Sequence, residues 1–379
     1  MSPIFALSAP STGVLLAVVL GLLLAGALIQ FSPRIPEREV LVRRGSVSTI
    51  VQMRVVWLAI VLLGAWVTLL ITGLIVGDFP ITAGDALGAA FWDRGADSTH
   101  DFIVNTLRFP RVMVALLAGV ALASSGAIFQ GLIGNPLMSP DIVGINQGAA
   151  VCAVWILVVG GNINLLPIAA FAGALTTAGL IYVLSWRRGV SSARLILVGV
   201  GINSLLGALI SYMLVRYPIE RVSGAARWSA GTLFGSSWED VRNLVIGLVI
   251  LLPAAFILTR RLRVLQLGDD TAAALGVTVE RDRLLLLAVG SGLAAIAVAV
   301  VGPLGFVALL VPHMARLLAG PLTGGVLLLS TLLGGVMLLG SDLIAQRMFA
   351  PTVLPAGVVT AALGGPYFLM LLYKYNRAV

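Results

Sequence analysis

Two arginines flanking a proline, Arg108, Pro110 and Arg111, stand at the mouth of an apolar run, and Gln130, Asn135 and Pro136 stand at its far end. Guanidinium groups hold carboxylates in paired hydrogen bonds, so the mouth is chemistry for meeting an acidic partner. A glutamine one turn beyond Gly126, on a face of small residues, either lines a water-filled path or bonds a neighbouring helix. Ionisable residues in the other apolar runs are few: Asp342 near the end of one run, His313 in another, and Asp141 at a loop edge. They do not assemble into a proton relay. With His100 the only other histidine and Cys152 the only cysteine, neither a metal site nor a disulfide framework is expected. No GxxxxGK[ST], HExxH or GxSxG occurs, so the chain is not expected to bind a cofactor or hydrolyse ATP by itself.

The elements that position these residues follow from composition. The 379 residues are 59% hydrophobic and 11% charged, with a mean hydropathy of +1.06. That leaves too few polar residues to clothe a soluble domain of this size. The apolar runs are continuous over about 20 residues and do not alternate with period two, which selects spanning helices over a barrel. An all-α polytopic membrane protein is therefore expected. The net charge of +8 lies in short loops between spans, without interleaved aromatics, so nucleic acid is set aside.

Eleven spans are predicted, at residues 12–31, 55–77, 111–132, 143–160, 164–186, 194–214, 241–259, 284–301, 305–319, 325–345 and 355–373. Residues 12–31 read as a span, not a secretory signal, because no basic residue precedes them. Residues 1–54 form one unit, an extra span plus a basic loop, and residues 55–379 form the main helical domain. The stretch between residues 78 and 105 is acidic and should hold a short helix near residues 82–91. Alternate threading puts sixteen basic residues inside and eight outside, which places the C-terminus in the cytoplasm.

Three four-residue repeats of small residues predict tight helix seams: Gly119, Ala123, Ala127; Asn203, Gly207, Ser211; and Gly357, Ala361, Gly365. Between residues 267 and 283, charges surround an apolar AAALGV, and Gly276 should end a short helix there. An apolar centre with a charged rim suits a groove on a soluble partner. Leu267, Gly268, Asp269, Asp270, Ala274, Leu275 and Gly276 are the expected contacts.

The run from Arg108 to Gly148 resembles the signature of the FecCD family, the permeases of ABC importers for iron-siderophores, haem and vitamin B12. It holds, in matching order, Arg108, Pro110, Arg111, Ser125, Gly126, Ala127, Gln130, Asn135, Pro136, Leu137, Pro140 and Gly144. The stretch at 267–283 resembles the family's ATPase-docking segment, 302–316 its GPxGFxGLxxPHxxR, and 354–372 its last span. The match covers roughly residues 55–377. It departs at Pro321–Gly324, at Gln346 with Arg347, and at Val353.

The resemblance implies about ten family-type spans beside the extra one, and a cell-membrane permease of a bacterium. It also implies a second permease subunit, either a paralogue or a copy of this chain. Two cytoplasmic ATPase subunits would use ATP and Mg, and an external binding protein would dock at Arg108, Arg111 and Arg347. The alternative for the first two is a pair of solvated interface arginines. Gly126, Gln130, Asn135 and Pro136 are the expected path residues, although Asn135 and Pro136 also read as a helix stop and turn. Ferric siderophore is the first expectation for cargo, with cobalamin or haem as alternatives. An ion-coupled secondary transporter is the competing class.

Overall fold

The computed structural model describes residues 39–44, 47–77, 79–92, 98–187, 192–348 and 352–376. The predicted first span lies outside them. Before the first described helix, the basic stretch read as a loop forms an antiparallel hairpin, β1 (Glu39–Arg44) with β2 (Val47–Gln52), in register from Glu39 opposite Gln52 to Arg44 opposite Val47.

The bundle follows as α1 (Met53–Ile75), α2 (Ala83–Phe91), α3 (Ser98–Asp101), a π-helical stretch (Phe102–Arg108) and α4 (Phe109–Ile133). Next come α5 (Pro140–Val143), α6 (Ile145–Val159), α7 (Leu166–Ser185), α8 (Ser192–Arg216), α9 (Ile219–Ser229) and α10 (Trp238–Leu265). The chain ends with α11 (Asp269–Ala274), α12 (Val279–Val301), α13 (Val307–Ala319), α14 (Gly324–Arg347) and α15 (Ala356–Asn376). Among the described residues, eight helices are long and apolar enough to cross a membrane, and α6 and α13 are shorter apolar ones. These ten coincide with the predicted spans from 55–77 onward. Helix α2 matches the expected short helix, with Thr82 Oγ1 accepting from Asp85 N at its start.

Helix α4 is the axis on which α10, α12, α13 and α14 pack. Its residues from Ala118 to Gly131 are all buried. Apart from Gln130 they are small or apolar on every side, and a helix without a polar face belongs in an interior. The first predicted seam is real: a Cβ on Gly119 would strike the carbonyl of Gly334, and one on Gly334 would strike Gly119 O and, at 2.6 Å, Ala123. Backbone-to-backbone approach of this kind maximises dispersion contact where no hydrophobic drive exists between helices in lipid. In the second seam Asn203 lies against Gly144, whereas Gly207 has open space around its Cβ position. In the third, Gly357 abuts Ala230 O whereas Gly365 is open.

One expectation about α4 is corrected. Arg108 was placed at a helix mouth, but the chain is helical without a break from Thr99 to Ile133. Pro110 therefore lies inside a helix, where it offers no N–H and its ring crowds the preceding turn. The preceding turn is widened, with Phe109 N bonding Val104 O five residues back. That π-type turn accommodates the proline without ending the helix.

Candidate functional site

Three groups of the expected site residues can be located. At the α3 end of the bundle, Arg108 is 9% exposed. It donates to the carbonyls of Leu74 and Ile75 at 2.8 Å each and Phe79 at 2.6 Å. Helix α1 ends at Ile75, so its last carbonyls lack intrahelical partners, and this guanidinium serves as their cap. Arg111 reaches across to α14. Its Nε lies 2.9 Å from Asp342 Oδ2 and its Nη2 2.8 Å from Oδ1, while Gln346 Nε2 bonds Oδ2 at 2.8 Å. The alternative of two solvated interface arginines is corrected: both guanidiniums are turned to partners in their own chain. Arg347 is half-buried in the last turn of α14. Arg108, Arg111 and Gln346 border a cavity of about 530 Å³ that Phe234, Ser236 and Ser237 also line.

At the opposite end of α4, Gln130 is fully buried. Its Nε2 donates to Leu309 O at 2.7 Å, and its Oε1 accepts from Arg316 Nη2. The helix-bonding alternative holds, and the path reading is corrected, because no face of this side chain is open. Gly126 is likewise packing: a Cβ there would run into the carbonyl of Ala308. Pro312 withholds the N–H that this carbonyl would otherwise accept, and only glycine lets α4 approach it so closely. Asn135 Oδ1 accepts from Leu137 N at 2.9 Å, so Asn135 and Pro136 hold the turn that follows the left-handed Gly134 (φ 72°). Two further ties were missed in the sequence, Ser125 Oγ to Gly290 O at 2.6 Å and Gln266 Nε2 to Gly131 O at 3.1 Å. Nothing in sequence spacing marks such pairs.

The third group forms a short projecting helix. Gly268 (φ 98°) turns the chain out of α10, α11 follows, and Gly276 (φ 82°) turns it into α12. Ala272 is buried, but Leu267 and Leu275 are 61% and 62% exposed. Asp269 Oδ1 meets Arg283 Nη2 at 2.7 Å, and Asp282 pairs with Arg261. The expected apolar centre and charged rim are therefore both present, and α11 is the expected short helix.

A multi-pass helical domain with Arg108 and Arg111 tied within the chain, and an exposed apolar tip at one end, suits a membrane permease. The chain belongs to the FecCD transport family, whose description matches residues 62–374. It is 39% identical over 328 residues to the ferric enterobactin transport system permease protein FepG of Escherichia coli K12, covering 86% of this chain and 98% of that one. It is 39% identical over 302 residues to the cobalamin import system permease protein BtuC of Halobacterium salinarum, covering 78% and 80%. A solved chain described as a metal-chelate type ABC transporter in an inward-facing conformation superposes with a TM-score of 0.76 at 27% identity, covering 84% of this chain and 99% of that one.

Proposed function

We propose that this chain is one permease half of a bacterial ABC importer that carries ferric siderophore inward, with its C-terminus in the cytoplasm. The observation that carries the reading is α11. Leu267 and Leu275 stand exposed at a tip held by two left-handed glycines and the Asp269–Arg283 pair. An apolar tip on a charged rim suits a groove on an ATPase, and two such partners would hydrolyse ATP, with Mg bound to it, on behalf of a chain with no phosphate-binding loop. The relatives' printed cargoes, ferric enterobactin and cobalamin, support a bulky metal chelate as substrate.

The second permease subunit packs on α8. Gly201, Ser204, Ala208 and Ser211 recur along one exposed stripe of that helix. Small residues facing outward let another helix approach closely, which long side chains against lipid would not. The path then runs between the two subunits, consistent with Gly126 and Gln130 being sealed in this one. An external binding protein delivers cargo at the end that carries the Arg108–Arg111 cavity.

The test is uptake of labelled ferric siderophore and labelled cobalamin in a strain lacking this protein and complemented with wild type or with Leu267→Asp/Leu275→Asp. Siderophore uptake restored by wild type, and lost in the double variant at equal membrane abundance, is the expected result. Equal siderophore uptake with and without the protein sinks the cargo assignment. Full uptake in the double variant sinks the ATPase-docking role of α11.

A further inference from the structure

The connection from α4 to α6 does not skirt the bundle but enters it. Asn203 stands eleven residues beyond the start of α8 at Ser192, about 17 Å into the span at 1.5 Å per residue. Gly144 lies against that point: a Cβ on it would be 3.4 Å from Asn203 N, Cα and Cβ. Helix α6, fifteen residues long, begins here, part-way through the bundle. Met138, Ser139, Pro140, Val143 and Ile145 are all buried. Irregular backbone at such depth persists only where it is enclosed by protein or lines a polar cavity. The sequence alone put Asp141 at a loop edge, whereas its turn reaches the middle of the span.

Two polar side chains, Asp141 and Asn146, meet at this turn, and Asn203 of α8 stands beside it. Asn146 Nδ2 donates to Asp141 Oδ1. With Asp141 ionised, the opposite amide orientation would set oxygen against oxygen, which fixes the assignment. Asn146 is 7% exposed, and its Oδ1 is buried without a donor. Asn203, whose Cα and Cβ lie beside Gly144, has its Oδ1 in the same condition. The cluster therefore has a surplus of oxygen acceptors around one carboxylate. Burying acceptors without a partner costs about 1 to 3 kcal/mol each, so something that receives several oxygens belongs there.

We propose that Asp141, Asn146 and Asn203 hold a monovalent alkali cation of sodium size at mid-membrane depth. The donor set is all oxygen, which suits a hard cation. A single carboxylate balances a single charge, whereas calcium takes six to eight oxygen ligands and usually several carboxylates. A proton on Asp141 is the competing occupant. One proton can satisfy only one of the two orphaned amide oxygens, whereas a cation can receive both. Breaks between half-spans, where backbone carbonyls also come free, are where membrane proteins place such ions. This site is independent of the cargo and of the ATPase reading.

The experiment is thermal unfolding of the purified full chain in detergent, in sodium, potassium or N-methyl-D-glucamine chloride at one ionic strength, with ²²Na⁺ binding measured alongside. Sodium should raise the melting temperature saturably by several degrees over N-methyl-D-glucamine. Asp141→Asn and Asn146→Ala should abolish both the shift and ²²Na⁺ binding. Asn203→Ala, on a largely exposed helix, should fold normally and weaken the half-saturating sodium concentration several-fold. Identical melting in the three salts, a sodium shift retained in Asp141→Asn, or melting that follows pH but not the cation would overturn the proposal.

Discussion

Arg111 and Asp342 form a two-pronged ion pair between α4 and α14, with the arginine side chain 15% exposed and the carboxylate 1%. The pair is the reason an acidic residue is tolerated inside the membrane domain. Removing one partner of a buried pair costs about 3 to 5 kcal/mol, because the other is left uncompensated. Asp342→Asn should lose about 3 kcal/mol, the lower end, since Arg111 keeps some access to solvent. Melting in detergent measures this, and Arg111→Gln/Asp342→Asn should recover part of the loss. An ion-coupled transporter makes the opposite prediction: Asp342→Asn would keep its melting temperature and lose uptake.

Gln130 separates packing from path by the same logic. Gln130→Leu leaves Leu309 O and the Arg316 guanidinium without their partner, at about 1 to 3 kcal/mol each. Melting should fall, and uptake should fall only in proportion to the folded protein in the membrane. Reduced uptake per folded molecule with unchanged melting would return Gln130 to the path.

How much of this was legible beforehand differs from residue to residue. Span positions follow from the length of apolar runs, and α11 from an apolar centre between glycines, because each is a local property of the chain. The arginines show the limit. Their types promised ion pairing, but whether the carboxylate lies 231 residues away in the same chain or on another protein is a question of tertiary packing. The π turn before Pro110 was hidden for a related reason. A proline usually marks a helix start, and only the packing around α4 keeps the helix running through it. Asp141 read as a loop residue because polarity in sequence does not reveal depth.

Glycines on two helices should respond with opposite sign. Gly126→Ala pushes a methyl into the carbonyl of Ala308, a backbone atom that cannot step aside, and should cost about 3 kcal/mol or prevent folding. Gly207 has open space at the same atom, so Gly207→Ala should gain up to about 1 kcal/mol from helix propensity. Melting of the purified single chain for both variants checks the pair, and equal effects would contradict the close approach of α4 to α13.

Asp269 and Arg283 offer a test in which stability and function part company. The carboxylate is 53% exposed, so breaking the pair should cost no more than about 1 kcal/mol. Yet this contact anchors the start of α11 to α12, whose buried length packs on α4 through Ser125 and Gly290. Helix α11 is a single turn and a half, too short to hold its own orientation without that anchor. Asp269→Ala should therefore leave melting and membrane abundance close to wild type while lowering uptake several-fold and raising the ATP consumed per substrate moved. Exchanging the charges, Asp269→Arg with Arg283→Asp, should restore uptake, because the anchor needs opposite charges and not a particular order. If Asp269→Ala transports normally, the tip is held by Gly268, Gly276 and Ala272 alone, and the ion pair plays no part in passing motion from the ATPase to α4.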